Sequence, residues 1–158
     1  MKKIVGLLLI AALAASCINV DVDEDAAKAM EKAKKTAKIE TTGVFVHITH
    51  GSDDAHRALM GLMMATKMAE SKDVAVYLDI NAIELVLKDG DPVTFEDHFP
   101  PSDEMIGKLL EKGVPVMACP GCMKVKGITE DMLMDGVKVA SAEKFFSFTK
   151  GGILTIDY

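Results

Sequence analysis

The sequence predicts an α/β domain over residues 43–158, a mostly parallel five-stranded sheet with helices on both faces. Three observations carry that expectation. Five short β-rich runs recur along the chain. Helix-forming segments separate them, in the order β-α-β-α-α-β-α-α-β-α-β, and strands joined by helical crossovers lie parallel. The first run, Val44-Phe45-Val46-His47-Ile48-Thr49, is β-rich and can be buried on both faces, as a strand between two layers of helix requires.

Each element follows from local chemistry. His50-Gly51-Ser52-Asp53-Asp54 reads as a turn, with Ser52 or Asp53 as the N-cap of a long helix over 55–71. That helix is apolar on most sides through Leu59, Met60, Leu62, Met63, Met64 and Met68. Residues 74–78 are the second strand and 81–87 a short helix. A turn over 88–92 opens an irregular stretch to Pro101. Ser102 is placed as the cap of a helix over 103–112, ended by Gly113. The third strand, 114–118, leads into Cys119-Pro120-Gly121-Cys122 and a short helix over 120–126, stopped by Gly127. A further helix over 129–134 has Glu130 and Asp131 in its first turn. The fourth strand spans 137–140. Ser141 caps a helix to about Phe148, and Gly151-Gly152 breaks it before the fifth strand, 153–157.

The N-terminus stands apart. Met1-Lys2-Lys3 is a basic start, and the apolar or small-residue run of 12 residues over 4–15 is shorter than the roughly 20 that span a bilayer. It has the form of a secretory signal over 1–16. Leu13-Ala14-Ala15-Ser16-Cys17 resembles the lipobox of bacterial lipoproteins, in which the cysteine is lipidated and becomes the first residue; Leu13 stands one place early. The resemblance makes Cys17 the lipidation candidate. The alternative is a plain signal peptide cut near Ser16. Residues 17–42 then form a tether: acidic at first, then rich in Ala, Lys and Glu and partly helical. The expected place is exported and periplasmic, with the membrane reached through the lipid anchor only. Loss of Lys2 and Lys3 takes the net charge from −6 to −8, which gives no attraction to anionic headgroups.

Composition excludes some functions. Hydrophobic residues make up 49% and charged residues 27%, an ordinary globular balance that argues against wholesale disorder. A net charge of −6, with two Tyr and no Trp, leaves no basic patch with interleaved aromatics and so no nucleic-acid partner.

The chemistry gathers at Cys119-Pro120-Gly121-Cys122. A thiol at a strand-to-helix turn faces the N–H groups of the helix start, which favour thiolate over thiol, and Lys124 and Lys126 push the same way. A buried, inert cysteine is the bland alternative. Cys122 could resolve a persulfide or sulfenate on Cys119, serve a dithiol redox couple, or pack against the helix. One CxxC without a second pair of ligands is a weak zinc signal.

Residues 43–158 resemble the DsrE/DsrF-like family of sulfur-handling proteins. Three stretches carry the likeness: the opening strand and turn, 44–54, before a long helix; the block 109–119; and Cys119-x-x-Cys122-x-x-x-Lys126-Gly127-Ile128 followed by Thr129-Glu130-Asp131 and Gly136-Val137. Several family members have a cysteine eight residues before such a glycine, and in sulfur relays it accepts persulfide sulfur; Cys119 stands at that position. Cys122 matches the two-cysteine variants, and Lys126 replaces a common arginine. The resemblance implies a three-layer α/β/α sandwich, a homo-oligomer (trimer or hexamer), and sulfur donor or acceptor proteins or small sulfur compounds as partners.

Other candidates weigh less. His50, at the C-terminal end of the first strand, shares the sheet edge with Cys119 and is a possible acid/base. His47 reads as packed on one face of its strand, His56 as exposed or capping. The Met60, Met64, Met68 stripe suits Cu(I) in principle but reads as core. The irregular stretch with His98 covers either the site or an oligomer contact. No metal and no cofactor is expected. The leading function is a sulfur carrier or sulfurtransferase-like protein with Cys119 and Cys122 as its reacting thiols. The alternatives are a thiol–disulfide redox protein and a non-enzymatic oligomeric binding module for a metal or a partner protein.

Overall fold

A computed structural model of the protein describes Lys28 and residues 41–158. The signal segment 1–16, the lipidation candidate Cys17 and nearly all of the tether 17–42 lie outside the described residues. Ile39–Tyr158 is one compact unit.

The sheet has five strands, all parallel, in the order β4-β3-β2-β1-β5. In chain order these are β1 (Thr41–Ile48), β2 (Asp73–Leu78), β3 (Val116–Ala118), β4 (Lys138–Val139) and β5 (Gly152–Asp157). Helices α1 (Ala55–Met68), α2 (Ser102–Glu111), α3 (Pro120–Lys126) and α4 (Ala142–Ser147) lie in the connections, with 3-10 turns at Ser52–Asp54, Ala82–Val86 and Glu130–Met132. The chain steps one way from β1 to β4, then returns to the far side of β1 for β5.

Alternation along the strands decides the two faces. Val44, Val46, Ile48, Val74, Val76, Leu78, Val116 and Ala118 point to one face and are buried there against Leu59 and Leu62 of α1 and Ile106 and Leu109 of α2. Burying each such aliphatic side chain contributes about 1.5–3 kcal/mol before entropy is charged. Gly61 lets α1 approach closely, since a Cβ there would lie 2.9 Å from Ile48 Cγ1. The second face carries Phe45, Ala75, Tyr77 and Met117, which pack with Ala140, Phe145 and Phe148 around α4. The expected layers are present, but the second is a single short helix.

Local expectations needed adjustment where a side chain found another partner. Asp54 caps α1 by accepting from Arg57 N–H at 3.1 Å. Asp53 does not, because Gly51 N–H and Asn81 Nδ2 occupy its carboxylate at 2.8 and 2.9 Å. Ser102 is not a cap. Pro101 holds that position, and the buried Ser102 hydroxyl accepts from Val93 N–H at 2.9 Å, pinning the irregular stretch to α2. The third strand starts at Val116 rather than 114, because Pro115 has no N–H to donate to the ladder. The helices expected over 81–87 and 129–134 are 3-10 turns.

Candidate functional site

The parallel arrangement delivers the C-terminal ends of β1, β2, β3 and β5 to one sheet edge. His47 pairs with Tyr77 across β1 and β2, and with Asp157 across β1 and β5; Tyr77 pairs with Met117 across β2 and β3. Paired residues in a parallel ladder point to the same face, and so do residues two apart along an extended chain. Asp79 follows Tyr77 by two, and Cys119 follows Met117 by two. The second face of the sheet therefore ends in a row of polar groups: Cys119, Tyr77, Asp79, His47 and Asp157.

Cys119 extends the β3 ladder, donating its N–H to the Leu78 carbonyl at 2.9 Å. Its side chain then caps α3, with Sγ accepting from Cys122 N–H at 3.4 Å. Burial alone would push this thiol up. The Tyr77 hydroxyl, the Cys122 N–H, the Cys122 thiol and the Gly121 N–H all hydrogen-bond to the sulfur and outweigh burial, so Cys119 sits below the ordinary thiol value. Cys122 goes the other way. Burial raises it, the Ile80 N–H donated to its Sγ at 3.1 Å works against that, and the bond to Cys119 with the Cys119 and Asp79 charges leaves it raised. Tyr77 is pushed far up by burial and by its bond to Cys119, so it stays a protonated donor. Both cysteines are free thiols, half-buried. The arrangement is one ionisable nucleophile with a protonated thiol beside it.

His47 anchors the other end of the row. Its Nδ1 lies 2.9 Å from Asp157 Oδ1, and its Nε2 lies 3.0 Å from Asp79 Oδ2. The second contact is an ion pair made through Oδ2, and Nε2 and Asp79 Oδ1 are buried. Burial pushes the imidazole down, but the two carboxylates prevail and hold it above 6.5. The ring stacks on Tyr77, centroids 5.4 Å apart at 29°. Beside it, Phe45, Tyr77, Phe145, Phe146 and Ile153 line an apolar groove of about 350 Å³.

Ile80 joins this group through its backbone. Its φ is +48°, a left-handed conformation that a β-branched residue rarely adopts. Such a residue costs on the order of 1–3 kcal/mol and persists only where its surroundings hold it. Here its N–H is tied to Cys122.

The other expected residues fall nearby but in different roles. His50 is half-buried. The Thr49 hydroxyl donates to the Tyr158 carbonyl and so accepts from His50 Nδ1, at 2.8 Å in each case. Lys126 donates to Asn81 Oδ1 at 3.3 Å, which links α3 through Asn81 to Asp53 and the turn after β1. Lys124 is exposed on the last turn of α3. His56 stacks on Phe95 at 4.6 Å and meets the edge of Phe99, while His98 lies 4.4 Å from Phe99. Met60, Met63 and Met68 pack against the core cluster. Among the described residues no group of three or more His, Cys, Asp or Glu side chains is arranged to hold a metal ion.

Tyr77, Asp79, Asp157 and Ile80 were not singled out by sequence, and His47 was weighed as a candidate but read as packed on one face of its strand. The two-residue spacings Tyr77/Asp79 and Met117/Cys119 carried part of the signal. The rest required knowing that β5 lies beside β1.

Brief labelling with iodoacetamide at neutral pH, read by peptide mass spectrometry, should modify Cys119 faster than Cys122, because the thiolate is the reacting form and Cys119 is held below the ordinary thiol value while Cys122 is raised above it. Equal labelling, or Cys122 first, would contradict this account of the pair.

Residues 42–152 match the model of the DsrE/DsrF-like family. The uncharacterized protein MK0008 of Methanopyrus kandleri is 27% identical over 109 residues, 69% of this chain and 85% of that one. The uncharacterized protein MJ0760 of Methanocaldococcus jannaschii is 25% identical over 129 residues, 77% of this chain. The matched region is 44% of that longer relative. Among solved structures, the ychN protein from E. coli superposes with a TM-score of 0.58 at 20% identity, covering 73% of this chain and 99% of that one. MTH1491 from Methanobacterium thermoautotrophicum, a protein of unknown function, gives 0.53 at 20% identity, covering 75% of this chain and all of that one. These structures share its fold, a parallel five-stranded sheet with helices. With the family model matched over most of its length, this chain belongs to the DsrE/DsrF-like family.

Proposed function

We propose that the protein is a sulfur carrier, or a sulfurtransferase-like protein, that holds a sulfane sulfur on Cys119. The observation that supports this most is the set of hydrogen bonds from Tyr77, Gly121 and Cys122, which favours the Cys119 thiolate. In the loading step the thiolate attacks the outer sulfur of a persulfide or polysulfide donor. A bond forms between Cys119 Sγ and that sulfur, the donor's S–S bond breaks, and the departing thiolate takes up a proton. Attack on the carried sulfur by an acceptor thiolate returns Cys119 to its starting state. If Cys122 instead attacks Cys119 Sγ, the carried sulfur leaves as hydrosulfide and the two thiols become a disulfide, which an external dithiol must reduce. Lys124 and Lys126 add positive charge to the helix that Cys119 caps and that carries Cys122.

Intact-mass measurement after polysulfide treatment tests the loading step. A gain of about 32 Da, one sulfur atom, on Cys119, absent in Cys119→Ser and longer-lived in Cys122→Ser, is expected. Conversion to a Cys119–Cys122 disulfide with no sulfur-bearing species at any time would favour the thiol–disulfide reading, which the contact between the two thiols also supports.

The chain is further proposed to act as a homo-oligomer, a trimer or hexamer. The support is a set of apolar side chains exposed among the described residues at the β5 edge: Phe146 at 74% and Ile153 at 41% on the groove side, and Leu154 at 50% on the other face of the strand. Edge strands of this kind are usually covered. Native mass spectrometry of the mature protein should show an assembly that Phe146→Glu with Leu154→Glu breaks; a monomeric parent would end this proposal.

Export and lipidation of Cys17 complete the reading. Among the described residues no helix is long and apolar enough to cross a membrane. Cells fed a labelled fatty acid should yield labelled, membrane-bound protein, and Cys17→Ala should abolish both; label retained in the variant would rule the anchor out.

A further inference from the structure

His47 has no part in the sulfur-transfer step described above, yet its surroundings are built. It is the register partner of both Tyr77 and Asp157. Its two nitrogens face two carboxylates, at 2.9 Å from Asp157 and 3.0 Å from Asp79. Its ring lies on the ring of Tyr77, the residue whose hydroxyl reaches the Cys119 sulfur. The charge of Asp79 is felt by both Tyr77 and Cys122, in each case opposing ionisation.

We propose that His47 is a positioning residue for the Cys119 thiol: held between Asp79 and Asp157 and stacked on Tyr77, its imidazolium offsets the two carboxylates and so ties ionisation of the nucleophile to the charge state of His47. The groups facing the ring are Tyr77 from β2, Asp79 just after it, Asp157 from β5, and the uncharged Phe145 and Phe146 of α4 across the groove. Lys144 of α4 is directed to the Val139 carbonyl at 3.0 Å. When His47 loses its proton, the carboxylate charge beside Tyr77 is left unbalanced. The Cys119 thiolate becomes less favourable, and the hydroxyl that stabilises it loses its stacked neighbour's charge. A site wired in this way loads sulfur more readily below the His47 transition, relative to what its thiol alone would do. Burial lowers the imidazole and the carboxylates raise it, with the carboxylates prevailing, so the transition falls above 6.5.

This inference rests on Cys119 being the working thiol, but its test uses no sulfur donor. Alkylation of Cys119 by iodoacetamide is followed from pH 5.5 to 8.5 in the full chain and in His47→Gln, with Cys122→Ser in both. The parent should react about threefold faster than the variant near pH 6, a factor that an offset charge several ångströms away supplies, and the two rates should converge above the His47 transition. Linkage requires the reciprocal effect. In the parent, the imidazole followed by NMR should titrate lower once Cys119 carries the neutral carbamidomethyl group, and that measurement stands even if His47→Gln does not fold. A rate ratio that is flat with pH, together with an imidazole midpoint indifferent to alkylation, would overturn the proposal. A protein that shows this coupling but never gains sulfur would instead sink the carrier reading and leave His47's role intact.

Discussion

The site depends on the register between β2 and β3. Tyr77 pairs with Met117, so Cys119, two residues further on, leaves the sheet on the face where the tyrosine stands. A slip of one residue would send Cys119 to the opposite face, away from that hydroxyl. The register is held by burial, since Val76, Leu78, Val116 and Ala118 have no exposure and belong to the main core. Hydrophobic packing on one face thus positions the polar chemistry on the other. The same logic extends outward, where β1 brings His47 beside Tyr77 and β5 brings Asp157 beside His47.

Two thiols three residues apart have the same intrinsic chemistry, and here their surroundings separate them. Cys119 collects donors: a phenol, two backbone N–H groups and its neighbour's thiol. Cys122 receives one backbone N–H and otherwise faces negative charge. Pushing two titratable neighbours apart in this way leaves one as the more readily ionised thiol and the other as its protonated companion. The Ile80 backbone is where this arrangement costs stability. A β-branched residue at positive φ is retained beside Cys122, where its N–H restrains the second thiol. The exposed Ile80 side chain does not explain the conformation; the contact its backbone makes does.

Much of the fold was legible in the sequence because buried parallel strands and capped helices leave local marks. The β1 and β2 runs, Gly113 and Gly127 at helix ends, and the strand leading into Cys119 all read directly, and the two glycines adopt φ of +73° and +67°. Errors fell where a side chain had a choice of partner, as at Ser102 and Asp53. Cys119 was legible because a thiol at a strand-to-helix turn is chemically conspicuous. His47 was read as packing on its strand, and it does lie on Tyr77, but its carboxylate partners come from residues 32 and 110 positions away. Those contacts exist only through strand order, and no local pattern announces that β5 returns beside β1.

The hydrogen bond from Tyr77 is the part of this account most open to direct measurement. Thiolate absorbance near 240 nm can be titrated with pH in Cys122→Ser and in the same chain carrying Tyr77→Phe, where Cys119 is the only described thiol left. The account predicts that Cys119 in the first chain ionises below the ordinary thiol value, and that removing the hydroxyl moves its midpoint up, because the Tyr77 hydrogen bond favours the thiolate. A midpoint at or above the ordinary value, unmoved by Tyr77→Phe, would contradict it.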